Sequence, residues 1–186
     1  MIDTKLMDLA DSYNLDVDSL LGAKSQYRDI ADLGEISDSD FWVQILNHFG
    51  VQATDEDTEI DSYIVPVDGT LDIARSLSTK YRTAILSNDS KEMGALRRKK
   101  FGFDTIFYPI VISGYFGVKK PDSRIYNILL EELGTPAGEC LFIDNNQSNL
   151  DGARSLGIQT ILFESAEQLR RDLLKLGIEV NTSPLL

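Results

Sequence analysis

The second half of the chain constrains its fold most. From about residue 66 onward, short apolar runs alternate with stretches of helical periodicity. Residues 82–87, 107–112, 140–144 and 159–163 read as strands, the second as an edge because of Pro109. Helices are predicted at 70–79, 91–99, 122–133, 148–156 and 166–176, with Gly102, Gly134, Gly157 and Gly177 where helices could stop. Strands alternating with helices imply an α/β fold: a Rossmann-like parallel sheet with helices on both faces. In such sheets ligands gather beyond the C-terminal strand ends.

The first half has another texture. Leu6, Leu9, Ala10 and Tyr13 fall at helical spacing, as do Phe41, Ile45, Leu46 and Phe49. Ser37 precedes the second group, with Asp40 three residues on, and this resembles a capping box. Gly22 and Gly34 read as loop punctuation between the two helices, and Gly50 as a stop. Residues 54–62 form an acidic, solvated stretch. The division expected is therefore a helical module over 1–65 and an α/β core over 66–186.

Composition removes several function classes. The 186 residues carry a formal net charge of −12, which opposes binding to nucleic acid. No apolar run approaches the roughly 20 residues that span a bilayer, so no membrane partner is expected. One cysteine, Cys140, allows no internal disulfide and suits a reducing, cytoplasmic setting. One histidine, His48, leaves no material for a His-rich metal site. Arg97-Arg98-Lys99-Lys100 reads as a solvated helix end.

The chemistry sits at the predicted strand ends. Strand 82–87 runs into Ser87-Asn88-Asp89-Ser90, and strand 140–144 into Asp144-Asn145-Asn146; Lys119-Lys120-Pro121-Asp122 lies between them in sequence. A hydroxyl, backbone N–H groups and an ammonium suit phosphate oxygens, while a carboxylate suits a hard divalent cation such as Mg²⁺.

Ser87-Asn88, then Lys120-Pro121-Asp122, then Phe142-Ile143-Asp144-Asn145 with Asn149 and Gly152-Ala153-Arg154, resemble the second, third and fourth motifs of the haloacid dehalogenase superfamily. The resemblance is to its phosphatase branch, the sugar-phosphate phosphatases grouped with the N-terminal domain of bifunctional epoxide hydrolases. Gly34-Glu35-Ile36-Ser37 with Phe41-Trp42 resembles the small helical cap of that branch. The resemblance implies Mg²⁺-dependent hydrolysis of a small phosphorylated metabolite. It makes Ser87 and Lys120 catalytic, Ser87, Asn88 and Lys120 phosphate-binding, and Asp144 and Asn145 the metal positions. Asn145 stands where many relatives carry a second Asp, and Asn149 and Asp151 are nearby candidates for that role.

The family's first motif, Asp-x-Asp at the end of a central strand, has no counterpart in the right place. Val67-Asp68-Gly69-Thr70 would put Pro66 at the nucleophile, so it reads as a turn and helix cap. Met1-Ile2-Asp3-Thr4 aligns just past the motif, and the expectation is a truncated chain lacking its central strand and nucleophile. Two further expectations follow: strands 82–87 and 140–144 pair directly or have the place between them filled, and the chain as written is inactive. The alternative is a non-catalytic relic that serves as a binding or interaction protein. An exposed strand edge would favour a homodimer.

Overall fold

A computed structural model describes residues 4–59 and 69–180. Asp3 and Asp68 therefore lie outside the described residues. The chain forms two compact units. The first takes in 88–100 and 112–117 as well as residues up to 65; the second holds 66–87, 101–111 and 118–186. The two-part division expected from sequence did not include those two short segments in the helical part.

In the first unit, α1 (Thr4–Tyr13), α2 (Val17–Asp32), α3 (Asp38–His48) and the single turn α4 (Asp55–Thr58) precede α6 (Lys91–Phe101) and the turn α7 (Ser113–Phe116). Leu6, Leu9, Leu20, Ala23, Ala31, Phe41, Ile45 and Leu46 form its core. Ser37 caps α3 by accepting from the Asp40 N–H at 3.0 Å. α2 was not anticipated, because Gly22 was read as loop. Gly22 lies on the exposed side of that helix with nothing within 4 Å, while Leu20, Ala23, Tyr27 and Ala31 hold the opposite side. An exposed glycine weakens a helix by only about 1 kcal/mol, and apolar packing outweighs that.

The second unit is α/β. Its elements are α5 (Thr70–Ser78), β1 (Ile85–Ser87), β2 (Ile110–Ile112), α8 (Ser123–Leu133), β3 (Leu141–Asp144), α9 (Gln147–Arg154), β4 (Gln159–Leu162) and α10 (Ala166–Lys175). Gly69, at φ +73°, is the N-cap of α5. β3 alternates strictly. Leu141 and Ile143 pack with Ile73 and Leu77 of α5 and Leu169 and Leu173 of α10. Phe142 packs the other way, with Leu86, Ile125, Tyr126 and Ala153. Helices thus cover both faces, as the strand–helix alternation predicted.

The sheet differs from expectation. β1 pairs with β2, and β3 with β4 in parallel register from Leu141↔Gln159 to Asp144↔Leu162. The two ladders are not joined: β1 and β3 share no ladder, and among the described residues no other strand enters either one. Of the two outcomes expected, direct pairing of 82–87 with 140–144 is not formed, and among the described residues no strand fills the place between them. A side chain meets the strand end instead. The Leu86 carbonyl of β1 accepts from the Lys120 ammonium at 2.8 Å instead of from a strand N–H. A buried carbonyl needs a donor, but the donor need not be backbone. All four residues of β3 are only partly buried, and among the described residues it pairs on one edge.

Candidate phosphate site at the ends of β1 and β3

Lys120 is the centre of the site. It lies in the loop that leads into α8 and is 8% exposed. Its ammonium donates to the Leu86 carbonyl at 2.8 Å and to Asp144 Oδ2 at 2.7 Å, and it stands 5.3 Å from the centre of the Phe142 ring. One charged atom thus joins the end of β1 to the end of β3. A lysine this deep must be paired, and the short contact to a carboxylate that is itself 7% exposed supplies the counter-charge.

Asp144 is held from three sides. Asn149 Nδ2 donates to both carboxylate oxygens at 3.1 Å, and the Asn146 N–H donates to Oδ1 at 2.8 Å. Asn149 is fixed in turn: it sits in the first turns of α9, and its carbonyl accepts from the Tyr126 hydroxyl at 2.6 Å. Burial, with the Asp144 charge adding, pushes the Tyr126 phenol up, so it remains a donor. The close seating of α9 needs Gly152, where a Cβ would meet the Pro121 carbonyl oxygen at 2.7 Å and the Tyr126 hydroxyl at 3.0 Å. The Lys-Pro-Asp loop, α8 and α9 are therefore locked around Asp144. Asp122 closes the loop as N-cap of α8; the Arg124 side chain and N–H hold its carboxyl at about 2.

The expected residues fall as follows. Ser87 ends β1, half-buried, directly after the carbonyl that Lys120 grips; its hydroxyl makes no hydrogen bond to the described residues. Asn88 follows in the chain and is half-buried, in the first unit. Asn145, expected beside Asp144 as a metal position, is exposed, and it is Asn149 and the Asn146 N–H that reach the carboxylate. Asp151 pairs with Arg154 at 2.7 Å on the exposed side of α9. Arg97, expected in solvent, donates to the buried Asp89 at 2.8 Å. Burial raises the Cys140 thiol, which makes it a poor nucleophile. The sequence reading missed Tyr126 and the role of Asn149. Their signal was faint: one aromatic in an apolar helix face, and an amide one turn into a helix after a strand-end acid.

The described residues do not fit a divalent cation. Mg²⁺ takes hard oxygen donors in octahedral array. Here one carboxylate is surrounded by N–H donors, and an ammonium already stands against it. Among the described residues no group of three or more His, Cys, Asp or Glu side chains is placed to hold a metal.

Residues 12–157 match the family model of the haloacid dehalogenase-like hydrolases. The chain belongs to this family. It is 29% identical over 109 residues to flavin mononucleotide hydrolase 1 of Arabidopsis thaliana, covering 54% of this chain and 44% of that one. It is 30% identical over 137 residues to a phosphatase of Mycobacterium tuberculosis, covering 69% and 63%. Bifunctional epoxide hydrolase 2 of Sus scrofa is 30% identical over 122 residues, covering 62% of this chain and 22% of the relative. The chain thus spans less than two thirds of the length of each. The fold is shared with a family enzyme from Bacteroides thetaiotaomicron at a TM-score of 0.76, with 21% identity and 91% and 88% coverage. It is also shared with the L-2-haloacid dehalogenase of Xanthobacter autotrophicus at 0.67, with 20% identity and 98% and 79% coverage. No helix among the described residues is long and apolar enough to cross a membrane.

Proposed function

We propose that this hydrolase-family chain binds the phosphate group of a small phosphorylated metabolite at the C-terminal ends of β1 and β3. The observation that carries the reading is the Ser87 hydroxyl, uncommitted to the described residues, one residue past the carbonyl gripped by the buried Lys120 ammonium. In this reading Ser87 donates to a phosphate oxygen, Lys120 supplies positive charge, and Asn88 contributes its amide. Asp144 and Asn149 keep the ammonium aimed. The relatives that hydrolyse flavin mononucleotide or are phosphatases favour a phosphate monoester over a haloacid.

The reading extends to catalysis in one respect. Asp144 is engaged by Lys120, Asn149 and the Asn146 N–H, and so is not available to attack phosphorus. Among the described residues, Asp144 is thus proposed to position Lys120 and not to act as a nucleophile, and binding without turnover is the behaviour proposed for this site. A magnesium requirement would follow the Bacteroides enzyme, which was solved with magnesium and inorganic phosphate. The described residues do not fit that ion. The test is release of inorganic phosphate from an aryl phosphate, with and without MgCl₂. No release is expected under either condition. Release that Ser87→Ala and Asp144→Ala both abolish would overturn the inactivity and put Asp144 in the chemistry.

A further inference from the structure

Segment 88–90, which leads the chain out of β1, is clasped by its backbone. The fully buried Ser113 hydroxyl accepts from the Asp89 N–H at 2.9 Å. The Gly114 N–H donates to the Asp89 carbonyl at 3.0 Å. Two consecutive residues of α7 thus satisfy both backbone polar groups of Asp89. The single proton of the Ser113 hydroxyl goes to the Asp32 carbonyl at the end of α2, at 2.6 Å, closer than the Asp89 carbonyl at 3.2 Å.

The approach is as close as backbone allows. A Cβ on Gly114 would meet the Asp89 carbonyl oxygen and the Lys91 nitrogen at 2.9 Å each, and a Cβ on Gly34, between α2 and α3, would come within 2.1 Å of the Gly114 carbonyl oxygen. Side chains hold the same segment. Arg97 Nη1 of α6 donates to Asp89 Oδ2 at 2.8 Å. The Ser90 hydroxyl donates to Asp38 at the start of α3 and accepts from the Met93 N–H at 3.0 Å. Arg28 Nη2 of α2 donates to the same Asp38 at 3.3 Å, and its Nε stands 3.6 Å from Asp32 Oδ1.

The clasp falls between the two stretches of chain that bear the phosphate ligands. Asp89 follows Ser87-Asn88 directly. Ser113 directly follows β2, and from α7 the chain runs through Gly117 to Lys120, seven residues past Ser113. Lys120 in turn grips the carbonyl of Leu86, the residue before Ser87. Ser87 and Asn88 therefore lie between two anchored neighbours, Leu86 on one side and Asp89 on the other.

We infer that Ser113 is a positioning residue for phosphate: by holding the Asp89 backbone it keeps the Ser87-Asn88 pair in the one conformation that meets the anion, a role that rests on the phosphate reading of that strand end. A pair already ordered loses less conformational entropy when the anion arrives. Without the Ser113 hydroxyl the buried Asp89 N–H has no acceptor, so the segment must shift to find one or admit water. The coupling is reciprocal: a clasp that favours binding is itself tightened by bound phosphate.

The test is calorimetric titration of orthophosphate into the 186-residue protein, Ser113→Ala and Ile45→Val, the last a change in the core of the same unit that touches none of these groups. Both variants should melt earlier than the unmodified protein. Ser113→Ala should bind about fivefold more weakly or worse, and Ile45→Val should bind as the unmodified protein does. Without phosphate, the Asp89 amide of Ser113→Ala should exchange about tenfold faster, measured against the amides of α3, as expected for loss of one buried hydrogen bond. If Ser113→Ala does not fold, the unmodified protein decides: saturating orthophosphate should slow Asp89 amide exchange about fivefold and leave the amides of α1 unchanged. Equal affinity of Ser113→Ala and the unmodified protein, an equal loss in both variants, or Asp89 exchange indifferent to the substitution or to phosphate would each overturn the inference and leave the phosphate reading standing. No saturable binding by the unmodified protein would overturn both.

Discussion

Two buried polar clusters, one in each unit, follow opposite rules. In the second unit one ammonium meets one carboxylate, and Asn149, the Asn146 N–H and the Leu86 carbonyl are further partners. In the first unit three carboxylates meet two guanidiniums, and Arg28 Nε is left without an acceptor. The balanced cluster is a joint: it fixes the ends of two ladders that share no strand hydrogen bonds. The other is a fastening: Ser90, Ser113 and Arg97 tie segment 88–90 to α2 and α3. A buried ion pair adds little net stability over apolar packing, but losing one partner is costly. The difference therefore predicts different responses to substitution.

The largest effect belongs to the balanced cluster. Lys120→Met leaves the Asp144 charge and the Leu86 carbonyl without their ammonium, and should destabilise the protein by about 3–5 kcal/mol in denaturant unfolding. A loss below about 1 kcal/mol would show that the pair is not the joint described here. Next comes the lock behind it. Gly152→Ala forces α9 off the Pro121 carbonyl and should cost about 1–3 kcal/mol, with chemical-shift changes at Asp144 and Asn149 in NMR spectra. Tyr126→Phe removes the donor to the Asn149 carbonyl and should cost about 1–2 kcal/mol without a pH-dependent component between pH 6 and 8. The smallest change is a gain. Gly22→Ala fills open space on the exposed side of α2 and should stabilise by about 0.5–1 kcal/mol, read as a higher urea midpoint.

Local pattern made much of this structure legible. The alternation of apolar runs and helical stretches located β1 to β4 and α5, α6, α8, α9 and α10, because periods of 2 and 3.6 are distinct over short windows. Ser87, Lys120 and Asp144 stood out because polar residues ended apolar strands. What escaped depended on distance in space. The Leu86 carbonyl of β1 is met by one lysine side chain reaching back across 34 positions, a contact no local pattern announces. Asn149 was placed among acid candidates, yet its amide serves as a donor to Asp144. The first-unit cluster joins Asp32, Asp38 and Asp89, which share no period and no motif, so only packing brings them together. α2 differs from expectation because Leu20, Ala23 and Ala31, buried on one face, outweigh the single exposed Gly22.

The central claim is that the hydroxyl and ammonium at the end of β1 recognise phosphate. Calorimetric titration of orthophosphate into the 186-residue protein and into Ser87→Ala, at fixed pH and ionic strength, tests it most directly. The account predicts saturable one-to-one binding that the substitution weakens about tenfold or more, the loss expected for a hydrogen bond to a charged group. Absence of saturable binding in the unmodified protein, or equal affinity in both, would contradict it.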